Sequence, residues 1–334
     1  MSKSRFWKGA LFCLFSAIAW GAMFPVAESA LHHIDPFWFS GIRYSAVTVL
    51  LVLLLAWKEG RQAFRTEGHG MKLWGLGTLA FMVYNFGVFW GQHQLGKSGV
   101  LLASIMESFM PMLAVLLVWS LTRKRPNIRT LGCVAVAFIG VLFVVTKGDF
   151  TAFANGGLKL LPLLSVFAGV IGWVVFTVGS GQFSGWSALR FSTLTCIYGG
   201  ATTMAAVLAL TLLGILDVPE ATQVVRIVPE MLFMIVVAGL MALLSWIQGI
   251  QQLNSVNGML FINFVPATTF IISVIQGYTV SAAEIIGSLL IVGALIANNL
   301  ITRREAALEA RKPAAPRPSP ARRPAKKQSH APAG

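Results

Sequence analysis

Three ionisable residues lie inside apolar runs. Glu107 falls about eight residues into "GVLLASIMESFMPMLAVLLVW", with no basic neighbour on that segment and four residues before Pro111. Arg43 and Arg190 share a frame: "SGIRYS" at Ser40–Ser45 and "SALRFS" at Ser187–Ser192 both read Ser, small, aliphatic, Arg, aromatic, Ser. A charge in hydrocarbon is costly and is a functional candidate by default. Glu107 can meet the ammonium of a solute, exchange a proton with it, or remain a protonated carboxyl bonded to a neighbouring helix. Each arginine can bond loop carbonyls or helix ends in a gate, or contact an anionic solute directly. Arg43 lies roughly 10 Å into its segment at 1.5 Å per residue, within snorkelling reach of headgroups.

The elements that carry these residues follow from composition. Of 334 residues 56% are hydrophobic and 11% charged, against about 25% charged in soluble domains, and mean hydropathy is +0.74. The expected class is an all-α integral membrane protein. Windows of about 20 apolar residues, the length that crosses a bilayer, give ten candidate spans: about 8–29, 36–57, 73–94, 99–121, 128–146, 158–179, 185–213, 229–250, 257–277 and 281–302. These runs lack the short alternating pattern of barrel strands.

The net charge of +14 reports orientation rather than a nucleic-acid partner. With the N-terminus in the cytoplasm, 20 of the 26 basic residues fall on cytoplasmic segments, including Lys58, Arg61, Arg65, Lys72 and the tail. The positive-inside bias then places both termini in the cytoplasm. Cys13, Cys133 and Cys196 fall within spans at no paired spacing, which indicates neither disulfides nor a zinc site.

The arginine frame belongs to a longer repeat. "AIAWGAMF" resembles "VIGWVVFT", setting Trp20 opposite Trp173. "GQHQL" at Gly91 resembles "GIQQL" at Gly249. Pro111 and Pro266 each precede a glycine by 21 residues. Four landmarks in one order divide the chain into halves of five helices, 8–146 and 157–302. They are flanked by a cytoplasmic N-terminus, 1–7, and a basic, Pro/Ala-rich tail, 303–334, expected to be disordered. Five is odd, so the second half enters the membrane inverted. Such repeats are a transporter signature, with the site near the midplane between the halves.

These residues resemble the EamA branch of the drug/metabolite transporter superfamily. The likeness rests on ten helices in two halves, a Trp in the first helix of each, an "LRF"-like arginine early in the second and a proline within the fourth. A Gly-Glu pair that often follows those prolines is replaced here by "LTRKR" and "QGYTV". The resemblance implies secondary transport of small metabolites, most often export of amino acids or related solutes across a bacterial inner membrane. It also implies a central cavity lined by helices one, three and four of each half.

The candidate pathway is Glu107 with Trp20, Phe24, Tyr84, Asn85, Trp90, Trp173, Phe176, Trp246, Gln248 and Asn263. Arg43, Arg190, Pro111 and Pro266 are expected to gate or support it. Aromatics in a bilayer also serve as packing or interface anchors, and the prolines as ordinary kinks. Import or exchange of a sugar, nucleoside or drug-like compound is the alternative, and an intramembrane enzyme a remote one, since clustered catalytic groups are lacking. No cofactor or metal is called for. The expected partners are a small-molecule substrate and the lipid bilayer, with proton coupling open and the chain a monomer or homodimer.

Overall fold

The computed structural model describes residues 3–123, 128–146, 148–149, 160–253 and 255–311, and every regular element among them is helical. Eight stretches are long and apolar enough to cross a membrane: Ser4–Leu31, Pro36–Lys58, Gly70–Leu95, Ser98–Thr122, Leu160–Phe183, Ala188–Leu212, Val228–Leu253 and Asn257–Ile275. The expected segments 128–146 and 281–302 contain shorter apolar stretches, Leu131–Val144 and Ala282–Asn298.

Local chemistry sets the ends. Asp35 caps α2 (Pro36–Lys58), accepting from the Phe37 amide at 2.8 Å, with Pro36 in the first turn. There its fixed φ is favourable and its missing N–H is not needed. Along α2, Val47, Leu51 and Leu55 are fully buried while Val49 and Leu53 are more than half exposed. One face therefore packs on protein and the other is left for lipid. Ser187 caps α9 (Ala188–Leu212) through the Arg190 amide at 2.9 Å.

Not all spans are single α-helices. The third expected span is α3 (Gly70–Gly77), a π-helical segment Thr78–Val83, and α4 (Tyr84–Leu95). The fourth breaks between α5 (Lys97–Glu107) and α6 (Met110–Thr122). The α5 end closes by tightened bonds, Ser108 N–H to Ile105 O at 2.9 Å and Phe109 N–H to Met106 O at 3.2 Å. After α7 (Ile128–Thr146), α8 (Leu160–Ser180) and α9, the short α10 (Ala221–Arg226) and α11 (Val228–Leu232) lead into a π segment, Phe233–Met241, and α12 (Ala242–Leu253). The ninth span is α13 (Ser255–Met259), a 3-10 turn Leu260–Asn263 and α14 (Phe264–Ile275). Pro111 and Pro266 thus stand in the first turn after a break rather than inside a continuous helix, positions where proline breaks no ladder bond.

The last helix, α15, runs from Ala282 to Arg311. Residues 303–311 are therefore helical, a correction to a tail disordered from 303. "TRREAALEAR" is composed almost wholly of good helix formers. Residues 312–334 and 150–159 lie outside the described residues.

Around the centre, α1 (Lys3–Leu31) packs on α12 and α14, α2 on α9 and α4 on α8, while α7 and α15 pair at the side. That pair touches backbone to backbone: a Cβ on Gly140 would lie 2.7 Å from the Gly287 carbonyl oxygen. Small residues allow such approach between membrane helices. The two ends of the bundle differ. At one mouth the N-terminal end of α1 lies against the end of α12, with Gly9 beside Leu253. At the other, Ser29 Oγ donates to Glu230 on α11 at 2.7 Å.

Candidate functional site

Midway along α1, Trp20 starts an aromatic cluster that joins the sequence halves. Its ring meets Trp173 of α8 edge-on at 5.1 Å between centroids and Trp246 of α12 at 5.2 Å. Trp173 continues to Tyr84 at 5.1 Å and Phe176 at 5.2 Å. Such pairs add about 0.5–1.5 kcal/mol each beyond their area. The indole N–H groups are satisfied too, Trp20 by Ala238 O at 3.0 Å and Trp246 by Thr177 Oγ1 at 3.3 Å. Trp20, Tyr84, Trp173, Phe176 and Trp246 are thereby brought together.

Glu107 closes this cluster from the end of α5. It is 1% exposed, its Oε1 accepts the Tyr84 hydroxyl, and its Oε2 has no hydrogen-bond partner among the described residues. The helix break directly after Glu107 places this carboxyl at a discontinuity of the span, the arrangement that transporters use to build midplane sites.

Arg43 reaches the same place from α2. Its guanidinium does not snorkel: the residue is 1% exposed and turned inward, a correction to the headgroup expectation. Nε donates to Met234 O at 3.0 Å, and Nη1 lies 3.4 Å from Asn85 Oδ1 and 3.5 Å from Met23 Sδ. The Tyr44 and Phe89 rings lie 5.0 and 5.8 Å from its central carbon, a cation–π setting for a desolvated charge. Met234 belongs to the π segment of the second half. Asn85 in turn donates from Nδ2 to Ala80 O at 3.0 Å and Phe81 O at 3.2 Å, in the π segment of the first. Arg43 and Asn85 together therefore bridge the two π-helical segments, and π-bulges of this kind frequently mark functional sites.

Trp20, Met23, Arg43, Tyr44, Tyr84, Glu107, Met110, Trp173 and Ile262 enclose a cavity of about 10 Å³, room for roughly one water. Wider vestibules lie beyond it. One of about 360 Å³ at the α12 mouth is lined by Arg5, Ser180, Gln251 and Ser255. The other, about 370 Å³ at the α11 mouth, is lined by Glu28, His32, Ser273 and Tyr278. The centre is closed between two openings.

Other expected residues stand apart. Phe24 is buried, its carbonyl accepting Gln92 Nε2 at 3.0 Å. Asn263 follows the cavity residue Ile262, and its buried Oδ1 has no partner among the described residues. Trp90 is half-buried. Gln248 is exposed on the outer face of α12, because two residues from buried Trp246 turn a helix by about 200°. Arg190 lies at the α12 mouth. Its Nη2 donates to Arg65 O at 2.6 Å and Glu67 Oε1 at 2.7 Å, and its guanidinium stacks 3.9 Å from the Trp186 ring. That arginine holds the loop Glu67 away from its ordinary pKa, downward, chiefly through the hydrogen bond it donates. Arg43 and Arg190 are thus unlike in depth and partners. Met23 and Met110 carry no sequence signal beyond adjacency to Phe24 and Pro111, whereas Tyr44 is the aromatic of the arginine frame and Gln92 lies within "GQHQL".

Comparison with known proteins bears on the family and the fold. Residues 7–146 match the EamA-like transporter family. The chain is 45% identical over 305 residues to "Uncharacterized transporter YrdR" of Bacillus subtilis (strain 168), covering 91% of this chain and 95% of that protein. The chain belongs to the EamA-like transporter family. A second relative, "Uncharacterized transporter YyaM" of the same organism, is 24% identical over 84% of this chain and 90% of its own. A solved crystal structure at 20% identity superposes with TM-score 0.61 over 91% of this chain and 99% of its own, so the fold is shared. Membership makes this multi-pass protein a transporter rather than an enzyme, and the Trp20–Glu107–Arg43 cavity lies inside an EamA fold.

Proposed function

We propose that this EamA protein is a secondary transporter exporting amino acids or related small metabolites across the inner membrane by alternating access, with the solute held between Arg43 and Glu107. One observation carries the proposal. The Arg43 guanidinium and the Glu107 carboxyl, both 1% exposed, line one cavity formed by both sequence halves, and they bond to different partners instead of to each other. Burying two charges apart is expensive unless each gains a counter-charge. A zwitterion bearing a carboxylate and an ammonium supplies both. Glu107 then either pairs with the ammonium or exchanges a proton with it, and Trp20, Trp173 and Tyr84 exclude water around the bound solute.

The proposed architecture is ten helices in inverted halves, 8–146 and 157–302, with both termini cytoplasmic. One relationship supports the repeat and a second its inversion. Carried over by the register that aligns Gln94 and Leu95 with Gln252 and Leu253, Thr78–Val83 falls on 236–241, inside the second π segment. Trp186 also receives Gln251 from the end of α12 and donates to Glu67 just before α3. The third span of one half therefore starts at the mouth where its counterpart ends.

The test is purified protein in liposomes loaded with amino acids. Saturable, unmodified solute efflux that is lost in Arg43→Ala supports the proposal. Flux confined to uncharged sugars or nucleosides would replace the zwitterion with a neutral substrate class.

A further inference from the structure

The vestibule at the α11 mouth contains polar groups that the central cavity does not use. Its walls come from both halves: Pro25 and Glu28 on α1, His32 in the turn after it, Val100 on α5, Ser273 near the end of α14, and Gln276 to Thr279 just beyond. Glu28 supplies the charge. Its contacts are long, with Gln92 Nε2 and His32 Nε2 both 3.5 Å away, so its carboxylate retains acceptor capacity. His32 is largely exposed, its side chain 61% accessible against 19% for Glu28.

A second observation comes from the opposite wall. Ser273 is 6% exposed and lines the vestibule, and its hydroxyl makes no hydrogen bond among the described residues. The hydroxyl oxygen itself is not sealed off but opens into the vestibule. Here the unused hydroxyl faces the same space as the under-bonded carboxylate. The surroundings are acidic as well: Glu230 bonds Ser29 one residue beyond Glu28, and Glu284 accepts from Tyr278 Oη at 2.8 Å. Together these carboxylates bias the mouth toward cations.

We infer that this vestibule is a binding site of its own for small organic cations, with Glu28 taking a primary ammonium and Ser273 a hydrogen-bonding group on the same solute. A volume of about 370 Å³ lies within the range of small-molecule pockets, roughly 300–1,000 Å³, whereas the central cavity has closed to the size of a water. On the proposed orientation this is the external face, where an exported solute pauses before release.

The site is tested by protection of a reporter cysteine in full-length protein in detergent. Thr279→Cys lines the vestibule and is exposed, whereas native Cys13 and Cys196 are fully buried. Labelling by a neutral maleimide should slow severalfold with phenethylammonium and hardly at all with 2-phenylethanol. Protection should vanish in Glu28→Gln, persist in Glu28→Asp and weaken in Ser273→Ala, with the parent lacking the reporter as the blank. Equal protection by the alcohol, or full protection retained in either Glu28→Gln or Ser273→Ala, would overturn the inference. Glu107→Gln should leave protection unchanged. Failure of the central-site proposal is therefore read separately, because the labelling assay needs no flux.

Discussion

Arg43 and Glu107 line one cavity but are held by different partners: Arg43 by the Met234 carbonyl and Asn85, Glu107 by the Tyr84 hydroxyl. A direct ion pair would satisfy both charges and leave little for a solute. Anchoring the guanidinium on a π-segment carbonyl instead fixes its position while its charge remains uncompensated. The same bond makes Arg43 a structural tie between the halves, so one substitution should show both roles.

Arg43→Ala removes the charged donor to Met234 O and Asn85 Oδ1, two buried bonds worth on the order of 1.5–3 kcal/mol each. The thermal midpoint in detergent should fall, and binding of a carboxylate-bearing solute should be lost. Arg43→Lys keeps charge without the planar fork and should recover part of the binding but little of the stability. Unchanged midpoint and binding in Arg43→Ala would remove Arg43 from both roles.

At the other end, Arg190 clamps the loop before α3 through Glu67, with Glu59, Arg65 and His69 around the same mouth. The pKa of Glu67 is lowered, first by the hydrogen bond from Arg190. A depressed carboxylate contributes stability above its unfolded-state pKa, and loses it as pH falls through the folded value. The clasp should therefore be fully present near pH 7 and weaken below the ordinary glutamate range of about 4.3. Accessibility of a cysteine placed at exposed Ser184 should rise over that acid window in the parent and be pH-independent there in Glu67→Gln. An identical acid response in Glu67→Gln would assign the change to another group.

Much of this geometry was legible from residue order. Span length exposes a membrane helix directly, and the repeat that set Trp20 against Trp173 selected two rings that meet. Tyr84 and Glu107 were chosen separately, for type and depth, and they bond. The destination of Arg43 was not legible. Sequence gives depth along a helix axis, whereas the inward turn depends on which neighbour offers an acceptor, and Met234 does so only because its helix is π-bulged. The bulges leave no apolar pattern of their own. Gln248 shows the reverse limit: its polarity marked it for the pathway, while its angular position beside Trp246 turns it outward.

The inverted-repeat proposal makes a topological prediction. Reporters fused after Arg65, Lys124 and Arg304 should read cytoplasmic, and fusions after Asp35 and Asp149 external, as the charge bias requires. An external signal at Arg65 or Lys124 would make the halves parallel and end the proposal of mirrored access.

Glu107→Gln separates the roles open to the buried carboxyl. Gln retains the size of Glu and an oxygen able to accept the Tyr84 hydroxyl, so the fold should survive with a small change in thermal midpoint. The lost properties are the negative charge and the capacity to titrate. If Glu107 meets the ammonium of the solute, affinity for amino acids should fall by one to two orders of magnitude, about 1.4 kcal/mol per tenfold, while affinity for the corresponding deaminated acids changes little. If it instead exchanges a proton with the solute, binding should persist while the dependence of flux on pH disappears. Parallel binding titrations and liposome flux at several pH values distinguish the two outcomes. Wild-type affinity together with wild-type pH dependence in folded Glu107→Gln would leave the carboxyl as a hydrogen bond between α5 and Tyr84, with the unpartnered Oε2 serving no solute.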